Sequence, residues 1–483
     1  MTISSIFKTL SKSLLLSTAP LAVAACTTVG PDYSGPPETA GQSTARGAFL
    51  RAPDETVPRA PAAAWWEQLD DPVLTGLVEE ALTNAPSIDV ALARVAQARA
   101  GLQSARTNAL PAIGASASTP YINIPAELVD PESNRDRFTA ESLSLGFDAS
   151  WELDLFGGNR RRVEASNARF EGSRASLADA QVSLSAEVAR VYVGLRARQQ
   201  MKAMFAEQLR IDRQLLAFAR QRYKQGTGTL HPVEQWRGQE TQTLAEMARN
   251  DIEITIAQDQ LAVLAGREPG AFDILLAAET PVPLPPDQVA IGSPADMLRL
   301  RPDIRQAERN LAAANADIGV NVAELFPKIS FIGLLGLGSD SIGDLFDPSR
   351  LIGLALPRLS WSAFDGGRSQ LRVDASRGAF AEAEANYRAA VLGALADSEA
   401  ALARFGGTRI AFGQVLEAEA AARRGAALDQ MRAEAGAIAR SDALAANRDL
   451  LRSQMSSTSA RAELAEAYIA VNKALGLGWQ QAP

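Results

Sequence analysis

Ser142-Leu-Ser-Leu-Gly-Phe-Asp-Ala-Ser-Trp-Glu-Leu-Asp-Leu-Phe156 switches chemistry at every residue. Leu143, Leu145, Phe147, Ala149, Trp151, Leu153 and Leu155 share one side of an extended chain; Ser142, Ser144, Gly146, Asp148, Ser150, Glu152 and Asp154 share the other. A period of two is the mark of a β-strand with unlike faces. In a soluble sandwich the apolar face turns inward. In a membrane barrel it meets lipid and the polar face lines a wet lumen. The pattern by itself leaves both open, and length narrows the choice. A second run, Leu351 to Ala363, puts Leu351, Gly353, Ala355, Pro357, Leu359, Trp361 and Ala363 on one side. Both runs can cross a bilayer at a tilt, and both end with Trp and Phe where an aromatic girdle lies. A weaker strand covers about 112–122, and Ile329–Gly338 is apolar on both faces.

Four strands cannot close a barrel, whose smallest members have about eight. Open edges in lipid cost several kcal/mol per unpaired backbone group, so membrane strands here demand an oligomer. Two copies would enclose too narrow a pore; three would give about twelve strands.

Beyond the strands the chain repeats itself. Pro86–Ile113 aligns without a gap on Pro302–Ile329, with Ile88/Ile304, Ala91/Ala307, Ala98/Ala314 and Pro111/Pro327 coinciding. Phe156-Gly-Gly-Asn-Arg160 resembles Phe364-Asp-Gly-Gly-Arg368; Val163-Glu-Ala-Ser166 resembles Val373-Asp-Ala-Ser376; Gly226 and Gly266 meet Gly436 and Gly476. Shared order at near-constant offset marks a tandem repeat. Each half predicts a helix (87–109 and 303–325), a strand pair, a long proline-free helix (160–224 and 369–434), a glycine break and a return helix ending near Gly266 or 475. A short helix, 72–84, opens the first half. The seven-residue spacing of Phe170, Leu177, Leu184 and Val191, and of Met247, Ile254 and Leu261, predicts coiled-coil-like seams between antiparallel neighbours.

Residues 1–25 read as a signal peptide: Lys8 and Lys12, then an apolar run too short to span a bilayer, ending at Val23-Ala-Ala25. Cys26, the only cysteine, follows directly, and a small-residue site ending in the sole Cys resembles a bacterial lipobox, the alternative being an ordinary signal peptide with an incidental cysteine. Acylation at Cys26 would anchor the chain in outer-membrane lipid. The predicted organisation is then 26–62 as an extended N-terminal segment and 63–266 as the first repeat, with its strand pair at about 112–156 and its tip at about 223–231. A Pro-rich linker follows at 267–296, then the second repeat at 297–476, with strand pair about 328–364 and tip about 432–440, and a tail at 477–483.

Composition excludes several functions. A net charge of −8 argues against nucleic acid, and one cysteine with one histidine rules out intrachain disulfides and Cys/His zinc clusters. His231, beside Pro232, reads as a solvated loop residue. Gly333-Leu-Leu-Gly336-Leu-Gly338 lacks the Lys and Ser/Thr of a phosphate loop. Asp148, Glu152 and Asp154 share a strand face and could imitate catalytic carboxylates or an oxygen-ligand metal site; the reading preferred is lumen wall, giving a pore an acidic lining. No nucleophile–base arrangement emerges, so the chain is not expected to be an enzyme or to hold a cofactor other than covalent lipid.

Together these features resemble the TolC-like outer-membrane efflux proteins, in their NodT-type lipoprotein branch. The resemblance rests on Cys26-Thr-Thr-Val-Gly30-Pro31-Asp32-Tyr33, Trp65-Trp66 before Asp71-Pro72-Val-Leu74, Leu153-Asp-Leu-Phe-Gly157, Arg301-Pro302-Asp303-Ile304, Phe326-Pro327 and Trp361-Ser-Ala-Phe-Asp-Gly-Gly-Arg368. It implies a mainly α fold with a membrane β portion: a homotrimer in the outer membrane of a Gram-negative bacterium, sharing a twelve-stranded barrel continuous with a long periplasmic helical barrel. It implies a passive exit duct of a tripartite efflux system, docking a periplasmic adaptor and an inner-membrane pump. By the same resemblance the tips at Tyr223-x-x-Gly226 and Gly436 close the periplasmic mouth. The family commonly carries Asp six positions beyond each tip glycine; Asp442 fits, with Arg440 beside it, but Pro232 replaces the first, and Ala433 stands where the second repeat would match Tyr223. Rival readings are an exit duct for type I protein secretion and, in another class, a periplasmic coiled-coil adaptor or scaffold lipoprotein.

Overall fold

The computed structural model describes residues 28–129, 136–341 and 343–479; the signal segment and Cys26 lie outside them. In chain order its elements are α1 (Gly41–Arg46), β1 (Thr56–Val57), α2 (Pro72–Asn84), α3 (Pro86–Thr107), β2 (Ala112–Ser118), β3 (Tyr121–Pro125), β4 (Arg137–Glu141), β5 (Leu143–Leu153), α4 (Gly158–Lys224), α5 (His231–Leu264), β6 (Val289–Ala290), α6 (Pro294–Leu300), α7 (Pro302–Ala323), β7 (Lys328–Ser339), β8 (Leu351–Ser360), α8 (Arg368–Glu434) and α9 (Arg440–Ala474).

Local chemistry sets the helix ends. The Asp71 carboxylate accepts from the backbone N–H of Val73 and Leu74 and caps α2, with Pro72 in the first turn, where a missing donor costs nothing. Ser293 and Asp296 form a reciprocal capping box on α6. Each return helix stops at a left-handed glycine, Gly266 (φ 71°) after α5 and Gly476 (φ 74°) after α9. The repeat extends to what these glycines touch. A Cβ on Gly266 would lie 2.2 Å from the Asn84 carbonyl oxygen, and one on Gly476 would lie 2.7 Å from Arg301 Cγ, each contact just before the proline that opens α3 or α7.

Two compact units arise, and they do not follow the repeats. One gathers residues up to 37, 96–172 and 307–387; the other gathers 38–95, 173–306 and 388 onward. Each takes matching pieces from both halves, because strands can satisfy their backbone only with other strands while amphipathic helices bury stripes against helices.

In the first unit β2, β5, β7 and β8 form one sheet in that order, antiparallel throughout. The first strand stops at Ser118, short of the expected 122, at Thr119-Pro120. β3 beyond it pairs with β4 instead, making a separate hairpin inside the expected loop. In the second unit the core is aromatic: Trp65 is 1% exposed and packs edge-on against Trp66 and Tyr468. The segment 267–296 departs from an extended linker. β6 pairs in parallel with β1, Leu276, Val282, Val289 and Ile291 are buried, and α6 begins within it. Its apolar residues contribute core.

Of the two expected helical seams, Ile254 and Leu261 on α5 are buried as expected, and the one on α4 shifts. In α4 the buried seven-residue series is Ala168, Ala175, Val182 and Ala189, two positions before the expected Phe170 series, of which only Leu184 and Val191 are buried. Small side chains let helix backbones approach closely, so alanine takes the seam and larger residues flank it.

Candidate functional site

Residues paired across neighbouring strands point to the same side, so the register defines two faces. One carries Ile113, Ala115 and Ala117 on β2; Leu145, Phe147, Trp151 and Leu153 on β5; Ile329, Phe331, Leu335 and Leu337 on β7; and Leu351, Ala355, Pro357 and Leu359 on β8. It bears no charge on any strand. Trp151 stacks on Phe331 at 5.9 Å and donates its indole N–H to the Ala109 carbonyl; Trp361 donates likewise to Leu325. Amphipathic rings with a satisfied polar end at one rim are what a bilayer interface selects.

The opposite face is divided. On β2 and β5 it shows Ser116, Ser118, Ser144, Asp148, Ser150 and Glu152; on β7 and β8 it shows Ile332, Leu334, Ile352, Leu354 and Leu356. Of the three expected acids, Asp148 and Glu152 lie on this face of β5, Glu152 in a row with Ser330 and Arg358. Asp154 serves the start of α4: its carboxylate accepts from the backbone N–H of Asn159 (3.0 Å) and Arg160 (2.9 Å). Asp365 does the same for α8, accepting from Gly367 and Ser369. Neither Asp148 nor Glu152 on this face forms an ion pair or a side-chain hydrogen bond among the described residues.

Both hairpin tips have the same turn. Gly226 (φ 69°) and Gly436 (φ 73°) are left-handed, with Thr227 N–H donating to Arg222 and Ala437 N–H to Arg432. Tyr223 is half exposed, and Arg440 and Asp442 are exposed at the first turn of α9. Arg440 and Asp442 form no ion pair among the described residues; the Asp442 carboxylate accepts from the Ser441 hydroxyl at 3.4 Å.

Away from the tips lies a polar cluster that sequence reasoning missed. Asp212 on α4 is wholly buried, and Arg448 on α9 is 7% exposed. Arg448 Nε donates to Asp212 Oδ1 at 2.7 Å, and the Thr243 hydroxyl of α5 donates to Oδ2 at 2.7 Å. Gln208 bonds Thr243 in turn, and the Arg448 guanidinium lies 5.8 Å from the Trp236 ring centroid. A single buried pair thus ties both hairpins of the chain together beside an apolar cluster of Ile211, Leu215, Leu444 and Leu451. No local signal marks it, since each partner looks like one more charge on a charge-rich helix.

A second missed residue is Arg161 on α4, nearly buried. Its guanidinium donates to the carbonyls of Val29 and Gly30 and to Asp32 (2.6 Å), holding the segment just after Cys26 against the strand–helix junction.

No described helix is long and apolar enough to cross a membrane. The family model described as "Outer membrane efflux protein" matches residues 77–267 and 294–477, and the chain belongs to that family. Nodulation protein T of Rhizobium leguminosarum bv. trifolii is 29% identical over 455 residues, covering 93% of this chain and 94% of the relative. The toluene efflux pump outer membrane protein TtgC of Pseudomonas putida is 30% identical over 379 residues, covering 76% and 75%. Among solved structures, the outer-membrane channel OprN superposes with a TM-score of 0.84 at 30% identity, over 94% of this chain and 100% of that one. The open state of the Neisseria gonorrhoeae MtrE outer membrane channel gives 0.78 at 26%, over 93% and 98%. The fold is that of the outer-membrane efflux channels, dominated by helix.

Proposed function

We propose that the protein is the outer-membrane exit duct of a tripartite efflux system, a passive channel and not an enzyme. One observation carries the reading: a four-stranded antiparallel sheet with an uncharged apolar face on every strand, open at both β2 and β8. Such edges cannot stand in lipid. The strands alternate in direction, so β8 of one copy can pair antiparallel with β2 of the next, and three copies close a twelve-stranded barrel. Covalent lipid at Cys26 anchors each copy, the helical hairpins extend into the periplasm, and no metal or cofactor is needed. Cargo arrives from an inner-membrane pump through a periplasmic adaptor. Small molecules are favoured over secreted proteins, because relatives carry names such as toluene efflux, antibiotic efflux and pyoverdine export.

The periplasmic mouth in this reading is closed by the tips at Tyr223, Gly226, Gly436, Arg440 and Asp442. The decisive experiment is the detergent-extracted mass with single-particle imaging: an elongated trimer supports the duct, and a monomer or dimer sinks it.

A further inference from the structure

We propose that the divided face of the sheet is a selectivity surface for amphipathic organic cations in transit; this rests on the exit-duct reading and names its cargo class. The uncharged face must meet lipid, since the reverse orientation would put Asp148, Glu152 and Arg358 into hydrocarbon. The face toward the pore is then polar on β2 and β5 and apolar on β7 and β8. Leu334, Leu354 and Leu356 there are 38%, 46% and 49% exposed. Closure of the barrel would leave that stripe no strand, helix or lipid to cover it, only solvent and cargo.

The charge beside the stripe determines what it suits. Gly114, Asp148, Leu334 and Leu354 form a single row across the four strands. Asp148 Oδ2 lies 2.9 Å from where a Cβ on Gly114 would sit, so the glycine leaves the carboxylate room over β2. Its other neighbours on this face, Gly146, Ser150 and Ser116, are uncharged, and no cation among the described residues forms an ion pair with it. Cross-strand neighbours stand about 5 Å apart, so the carboxylate and two leucines span about 10 Å, the breadth of a ring system bearing one positive charge. An amphipathic cation satisfies both halves at once. A small hydrophilic cation leaves the leucines wet, and an apolar anion meets an unpaired carboxylate.

The test uses the full-length trimer in planar bilayers, with tetraphenylphosphonium as the probe and tetramethylammonium and tetraphenylborate as controls. Tetraphenylphosphonium should block the potassium chloride current, and Asp148→Asn should weaken that block about fivefold, the size of one exposed ion pair. Leu334→Ser with Leu354→Ser should weaken it comparably while the potassium chloride conductance stays near wild type. Tetramethylammonium should not block. Equal block in wild type and Asp148→Asn, or equal block by tetraphenylborate, overturns the proposal and leaves the duct intact. A trimer that conducts nothing even with Asp442→Ala overturns the duct reading itself.

Discussion

Asp212 and Arg448 set the largest single-residue expectation. Removing one member of a buried pair strands the other charge, at about 3–5 kcal/mol, whereas replacing both with apolar residues of similar volume is often neutral. Asp212→Ala should therefore lower the thermal midpoint of the purified protein sharply, and Asp212→Leu with Arg448→Met should restore most of it. A double variant as unstable as the single one would show that Thr243 and Trp236 need the pair for packing. Asp179 gives a pH-dependent case. Burial raises its pKa, and the nearby Asp303 raises it further against the pull of Arg301 and Lys473. An acid whose folded pKa lies above its unfolded value stabilises the fold below the unfolded value, near 3.9, and loses that contribution as pH rises through the folded one. Asp179→Asn should then raise the melting temperature at neutral pH, with the gain shrinking toward acid. A pH-independent gain would assign it to packing.

Along the strands, orientation is the testable property. Arg in place of Leu145, Phe147 or Leu153 near mid-bilayer should cost about 2–4 kcal/mol, read as lost assembly in the outer membrane. Arg at Ser144 or Ser150, on the opposite face, should be tolerated and shift ion selectivity toward anions. Equal damage on both faces would mean a soluble sandwich. At the hairpin tips the glycines set the turn, and in the proposed duct the flanking side chains would set the closure. Asp442 makes no ion pair among the described residues, and in the proposed trimer it can meet a neighbouring copy. Asp442→Ala should raise single-channel conductance without lowering trimer yield. The difference should fade in 1 M salt, where the Debye length is about 3 Å and wild-type pairs are already screened. A variant that conducts like wild type at low salt would make the closure apolar or steric.

For the assembled protein, anchor and barrel are separable. Cys26→Ser should abolish incorporation of labelled palmitate and slow delivery to the outer membrane, while refolded protein still forms trimers, because strand edges and not lipid drive association. Undiminished labelling would refute lipidation at Cys26. Arg161 holds Val29, Gly30 and Asp32 at the strand–helix junction.

What the chain declares locally was legible in advance. Period-two alternation from Ser142 to Phe156, the left-handed glycines at 226 and 436 and the matched prolines at 86 and 302 follow from backbone sterics and burial within a few residues. These yield the helices, the strands and the repeat. Non-local geometry was not legible. Heptad spacing pointed to Phe170 and Leu177, but the seam took Ala168 and Ala175, because how closely two helices pack depends on both partners. A polar strand residue such as Asp154 reads as pore wall until the fold brings the N–H groups of Asn159 and Arg160 onto its carboxylate. Asp212 and Arg448 stand 236 positions apart, and no sequence pattern couples them. Only strand register set Asp148 beside Leu334 and Leu354 and Glu152 in a row with Arg358. Alternation assigns each residue a face of its own strand, but the chemistry of a sheet face belongs to all its strands, and pairing across the sheet is a tertiary decision.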